Sequence, residues 1–232
     1  MPRFPITFAS AVFCLLLSGC TQWQAAASDT ARSFIQQKQP ADQVQLRTDL
    51  QYLRVNTYGS PALLVLGYID RDAAQAQPVQ VWYSADREVL RLQGGRLVGL
   101  TGAIVEWRNV TWLDQPPQWP TTPSAMHYTR QRDVMPGDHI SIREVVTVTA
   151  IAPPRHHELR GLDPASLQWF EETAAPPADT PAALAAAYQP LPPARFALRR
   201  TAAGLVPVYG EQCLNATLCI QWQSWPPTPA QR

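Results

Sequence analysis

Two adjacent glycines, Gly94-Gly95, do most to limit what this chain can become. Before them Val89, Arg91 and Gln93 alternate with Leu90 and Leu92; after them Leu97 and Val98 open a second run of strand formers. Alternation with period two is the pattern of a sheet with one covered face. Both central residues of a type I′ turn need positive φ, which glycine adopts at little steric cost. Residues 81–102 are therefore expected to be two antiparallel strands joined by a two-residue turn, and the rest of the chain is read outward from that hairpin.

Strand patterns lie on both sides of it. Leu53, Val55 and Thr57 alternate with Tyr52, Arg54, Asn56 and Tyr58; Gly59-Ser60-Pro61 marks a turn; residues 63–69 are almost continuously apolar, as a strand covered on both faces would be. Ile104 to Trp112 is a further strand, and the Pro-rich stretch from Gln115 to Pro123, with Trp119 inside it, reads as a surface loop. Met126 to Arg132, a turn at Met135-Pro136-Gly137-Asp138, and His139 to Ile151 make a second β block, with a change of side near Glu144-Val145-Val146 that predicts a bulge. Asp163-Pro164 has the form of a capped helical start, and the residues leave open whether Trp169 continues a helical turn or lies in a strand. Phe196 to Tyr209 and Leu218 to Trp225 read as two last strands.

Consecutive strands with short connections mostly pair as antiparallel neighbours. The expected fold is mainly β, an antiparallel meander curled into a sandwich or partly closed barrel with a few short helices. Residues 1–19 form a signal peptide, and 20–49 a tether with a short helix near Asp29 to Gln37. The main β domain is 50–172. A Pro/Ala-rich linker at 173–194 holds a short helix at Pro181 to Tyr188, followed by a C-terminal β hairpin at 195–225 packed on the main domain, and a tail at 226–232.

The start of the chain is an address. Arg3 supplies the positive charge, Phe8 to Leu17 the apolar run, and Leu17-Ser18-Gly19-Cys20 the small-residue box that ends in the acylated cysteine of a bacterial lipoprotein. The apolar run is shorter than the roughly 20 residues a membrane-spanning helix needs. Several acyl chains on Cys20, at about 0.8 kcal/mol per buried methylene, would hold the mature chain at a membrane surface. Thr21 after the anchor favours the outer membrane by the usual sorting rule.

Chemistry is less conspicuous than anchoring. The chain carries 19 basic and 18 acidic residues, a balance that offers no basic face for nucleic acid. Once Cys14 leaves with the signal and Cys20 is acylated, Cys213 and Cys219 remain as disulfide partners in an exported chain. Their spacing is neither a zinc nor a thioredoxin spacing, and His127, His139, His156 and His157 show no metal-ligand pattern. No nucleophile elbow occurs, and no catalytic residue, metal or cofactor is assigned. The carboxylates Asp86, Glu88, Glu106, Glu144, Glu171 and Glu172 cannot be paired from sequence into the acid and base of a glycosidase. Eight tryptophans are many for this length; Trp119, Trp222 and Trp225, in Pro-rich surroundings, are the candidate contacts for a glycan or a protein partner.

Trp82, Ser84-Ala85-Asp86, an apolar strand, the turn, Gly95-Arg96-Leu97-Val98 and Thr101-Gly102 together resemble the YjbF/GfcB family of outer-membrane lipoproteins. The likeness extends upstream through Leu53 to Gly67 and thins downstream to Tyr128 to Asp133 and Trp169 to Glu172, about half the chain. It implies a strand at Trp169 and a non-enzymatic accessory in capsule or exopolysaccharide secretion, on the periplasmic face of the outer membrane. The implied partners are an outer-membrane β-barrel porin and a periplasmic capsule-biosynthesis protein, with polysaccharide as a further candidate. The rival readings are a periplasmic glycan-binding or glycan-modifying enzyme and a purely structural envelope lipoprotein.

Overall fold

The computed structural model describes residues 44–227, apart from 58, 73–76, 115, 117, 121–124 and 138. The signal segment, Cys20 and the expected helix at 29–37 lie outside the described residues. Twelve strands succeed one another in chain order: β1 (Tyr52–Thr57), β2 (Ser60–Asp70), β3 (Val79–Tyr83), β4 (Val89–Gln93), β5 (Arg96–Thr101), β6 (Glu106–Trp112), β7 (Met126–Met135), β8 (His139–Ile151), β9 (Gln168–Ala175), β10 (Ala194–Thr201), β11 (Gly204–Cys213) and β12 (Cys219–Trp225). Each pairs antiparallel with its neighbour in sequence, and β1 also pairs with β12, Tyr52 opposite Trp225 and Thr57 opposite Ile220. The mainly β meander expected from the pattern is thus closed into a ring. The thinnest seam is between β5 and β6, where Leu100 opposite Trp107 is the paired position.

The hairpin at the centre of the sequence forms as its residues require. Gly94 and Gly95 have φ of 57° and 83°, and β4 and β5 run back to back with a register shift at Arg91/Leu92. A Cβ on Gly95 would overlap the ring of Pro207 on β11, a strand from the other side of the ring. Opposite walls therefore touch. The ring is flattened and filled, with Leu53, Trp82, Leu90, Leu97, Val146, Phe170, Phe196 and Trp222 in one buried cluster. A second cluster, Leu159, Leu167, Trp169, Ala197, Val208 and Tyr209, lies under the connection from β8 to β9. That connection is tied down where Arg160 and Gln223 exchange hydrogen bonds, Arg160 N to Gln223 Oε1 at 2.8 Å and Gln223 Nε2 to Arg160 O at 2.7 Å.

Several local expectations are refined. Asp163 does cap a helical turn, a 3₁₀ turn at Pro164–Ser166 in which its carboxylate accepts from Ala165 N; β9 then begins at Gln168, so Trp169 is in a strand. The helix in the Pro/Ala-rich segment is α1 (Ala182–Ala187). Phe196 to Tyr209 is two strands, because Ala202-Ala203-Gly204 turns the chain with Gly204 at φ 117° and Thr201 Oγ1 donating to Gly204 O. Residues 195–225 therefore contribute three strands to the ring where two were expected. The irregularity in β8 lies nearer the turn than Glu144-Val145-Val146: Arg132 faces Ile142 but Val134 faces His139, and Ser141 takes φ 61°. Asp133 Oδ1 holds that bulge by accepting from Ser141 N at 2.8 Å.

Candidate functional site

In an antiparallel meander the connections alternate between two ends. One end carries the start of β1, the end of β12, the Gly94-Gly95 turn and the loop from β6 to β7; the other carries the turn from β7 to β8, the connection from β9 to β10 and the loop from β11 to β12.

The first end is plugged by Trp119. Its indole donates to Gly94 O at 2.8 Å and packs on Phe170 and Phe196, with ring centroids 5.3 and 5.0 Å away. The Arg96 guanidinium lies 3.8 Å from the Trp119 ring centroid, a cation–π contact, and Arg96 pairs with buried Glu172 at 2.7 Å. Tyr128 donates to the other oxygen of Glu172 at 2.9 Å. Trp119 is therefore not the exposed contact its Pro-rich surroundings suggested. A loop rich in proline has few backbone donors of its own to satisfy, so it can turn an aromatic inward.

Nor is Trp222 available to a ligand. It is 3% exposed, packs on Phe196, and occupies the space beside Gly210 that a Cβ would fill. Trp225 is half-buried at the end of β12, with the Arg54 guanidinium 5.9 Å from its ring centroid. The three tryptophans do not form one surface. Cys213 and Cys219 are joined by a disulfide.

Below the other end sits a polar cluster that the sequence did not single out. Tyr128, Arg130, Arg132 and Val134 take alternate positions on β7 and are buried. Glu144, 0% exposed, meets Arg130 Nε at 2.7 Å and Arg132 at 2.9 Å. Both guanidiniums lie 5.1 Å from the ring centroid of buried Trp107, whose indole donates to Leu214 O at 2.9 Å. Burial would raise the Glu144 carboxyl, but the fields and hydrogen bonds of Arg130 and Arg132 outweigh it and hold the group below its ordinary value. Tyr188, from the connection after α1, donates to Glu144 at 2.9 Å; burial and the carboxylate raise its phenol above the usual range. The available signal was the alternation of arginines at 130 and 132, which means an inward charge only once the register against Glu144 is known.

Above this cluster opens a cavity of about 720 Å³. One wall is the turn from β7 to β8 and the first residues of β8, the other is the strap of residues 176–191, and the lip is Leu214-Asn215-Ala216. The lip is rigid: the disulfide closes its loop, Leu214 N donates to Leu218 O at 2.8 Å, and Asn215 Oδ1 accepts from Thr217 N and Leu218 N. Around this end Ile104, Ile140 and Leu184 are 89, 67 and 64% exposed, an apolar rim of the kind that marks a contact surface. Among the described residues no group of three or more His, Cys, Asp or Glu side chains could hold a metal ion.

The family model described as group 4 capsule polysaccharide lipoprotein GfcB, YjbF, matches residues 30–180, well over half of the 232-residue chain. The chain belongs to the YjbF family. The crystal structure of the hypothetical lipoprotein YmcC from Escherichia coli K12 shares the fold with a TM-score of 0.58 at 16% identity, over 87% of this chain and 95% of that one. No curated protein matches the sequence. A capsule-related lipoprotein family and an envelope location held by a membrane anchor follow from that membership.

Proposed function

We propose that this YjbF-family chain is a non-enzymatic accessory of capsule or exopolysaccharide export, anchored through acylated Cys20 to the periplasmic face of the outer membrane. It works there with an outer-membrane β-barrel porin and a periplasmic capsule-biosynthesis protein. The observation that carries the reading is the family match over residues 30–180. The arrangement of the carboxylates supports it. Glu144 and Glu172, the buried acids among the described residues, are each committed to arginine, and a carboxyl held below its ordinary value, as Glu144 is, does not donate a proton at neutral pH. The apolar rim at one end suits a protein contact better than a polar saccharide.

The test is a detergent pull-down from envelopes with a tag after Arg232, comparing the native chain with Cys20→Ala. Recovery of an outer-membrane barrel with the acylated chain, and its loss with Cys20→Ala, is the expected result. A chain that recovers no barrel, or that fractionates with the inner membrane, refutes the reading.

A further inference from the structure

The cavity exists because the sheet parts. The ladder between β8 and β9 ends with Val145 opposite Ala175, although β8 begins earlier, at His139. Beyond Ala175 the chain passes through Pro176-Pro177, whose nitrogens carry no hydrogen to extend the ladder, and the strap leaves the open flank of β8. The space between them, about 720 Å³, is of the size of ordinary ligand pockets.

Its depth and its mouth differ in chemistry. Inside, the wall is the core itself: Val134 and Leu214 are buried members of the main cluster, and Val105, Ile142 and Leu191 pack against it. The strap adds Pro177, Pro181 and Ala187. The polar side chains among these are already engaged. Arg132 Nε donates to Glu144 Oε1 at 3.0 Å, Tyr188 donates to the same oxygen at 2.9 Å, and Asn215 Oδ1 accepts from Thr217 N and Leu218 N. A saccharide seated there would leave its hydroxyls without partners, which opposes binding.

The mouth is basic. Arg143 lines the cavity, is exposed and makes no ion pair among the described residues, and Asp179 is the one carboxylate of the described lining. Beneath them Glu144 stands between the guanidiniums of Arg130 and Arg132, so that cluster keeps a net positive charge. Apolar depth under a positive field suits a molecule with a hydrocarbon body and an anionic head.

We infer that this cavity is a binding site for one acyl chain of an anionic amphiphile, with the hydrocarbon against Val134, Ile142 and Leu214 and the carboxylate or phosphate head at Arg143. A chain held at a membrane surface, as the family's anchor implies, stands where such molecules are supplied. The inference rests on that membrane location and not on the export reading.

The test uses the full acylated chain in phosphatidylcholine nanodiscs and a palmitate analogue with a diazirine on its chain, photolysed in alkaline buffer, where the acid is ionised. Peptide mass spectrometry then locates the label. It is expected on residues 132–143, 176–191 and 214–216, and unlabelled palmitate is expected to suppress it at least tenfold more effectively than hexadecanol. Ala187→Trp, which puts an indole into the cavity from an exposed position, is expected to lower the labelling at least tenfold. Arg143→Ala, also at an exposed position and decisive should the indole disturb the strap, is expected to erase the preference for palmitate over hexadecanol. Label spread along the chain without preference for these segments, equal competition by acid and alcohol in the native chain, or indifference to both substitutions overturns the inference. So does label confined to the exposed rim at Ile104, which would make that rim a contact with the bilayer.

Discussion

Among the described residues Glu144 is the most deeply buried charged side chain. Two guanidiniums, a phenol and no solvent surround it, and removing one partner of a buried ion pair leaves the others uncompensated at about 3–5 kcal/mol. Glu144→Gln is expected to lose stability of that order in urea unfolding at pH 7. Because the folded carboxyl lies below its ordinary 4.5, its stabilisation is complete above that pH and is lost as pH falls through the folded value. The native chain should therefore destabilise on acidification below 4.5, and the gap to Glu144→Gln should close. Trp119→Ala tests the corrected role of that residue. It is expected to cost about 2–3 kcal/mol in urea unfolding, less than a fully buried tryptophan. Neither role was legible in the sequence: composition marks an indole or a carboxylate as candidate chemistry, and only the register decides whether it faces a ligand or an arginine.

At the scale of elements the sequence was more informative. Gly94-Gly95 specified its turn because the positive φ it needs is a local requirement, and Asp163-Pro164 specified its capped turn because a capping carboxylate followed by proline is also a local signal. Ala202-Ala203-Gly204 carries a weaker signal, one glycine between two strand-like runs, although Gly204 reaches φ 117°. Gly95→Ala is expected to cost about 1–3 kcal/mol, since the residue combines left-handed backbone with the close approach of Pro207; the urea midpoint checks it. The disulfide closes a short loop, worth about 2 kcal/mol in the chain-entropy picture. Cys213→Ser with Cys219→Ser should lower stability by that amount, and amide exchange should rise first at residues 214–218, the lip of the cavity.

For the molecule as a whole, the mainly β class and the meander were readable from alternation, but closure was not. Nothing local in Tyr52–Thr57 says that it pairs with Cys219–Trp225; the hydrogen bond from Asn56 to Gln221 spans 165 positions. So long a separation makes folding slow, in the millisecond to second range or beyond for such β topologies, and a chain ending at Leu218, without β12, is expected to show no cooperative unfolding transition. Stopped-flow refolding and thermal denaturation test the two statements. The pairing of Tyr52 with Trp225 also brings the first and last strands out on one rim, while the disulfide loop, the strap and the open flank of β8 stand on the opposite rim. The ring thus has one rim where its first and last strands meet in a shared ladder and one rim where its side stands open.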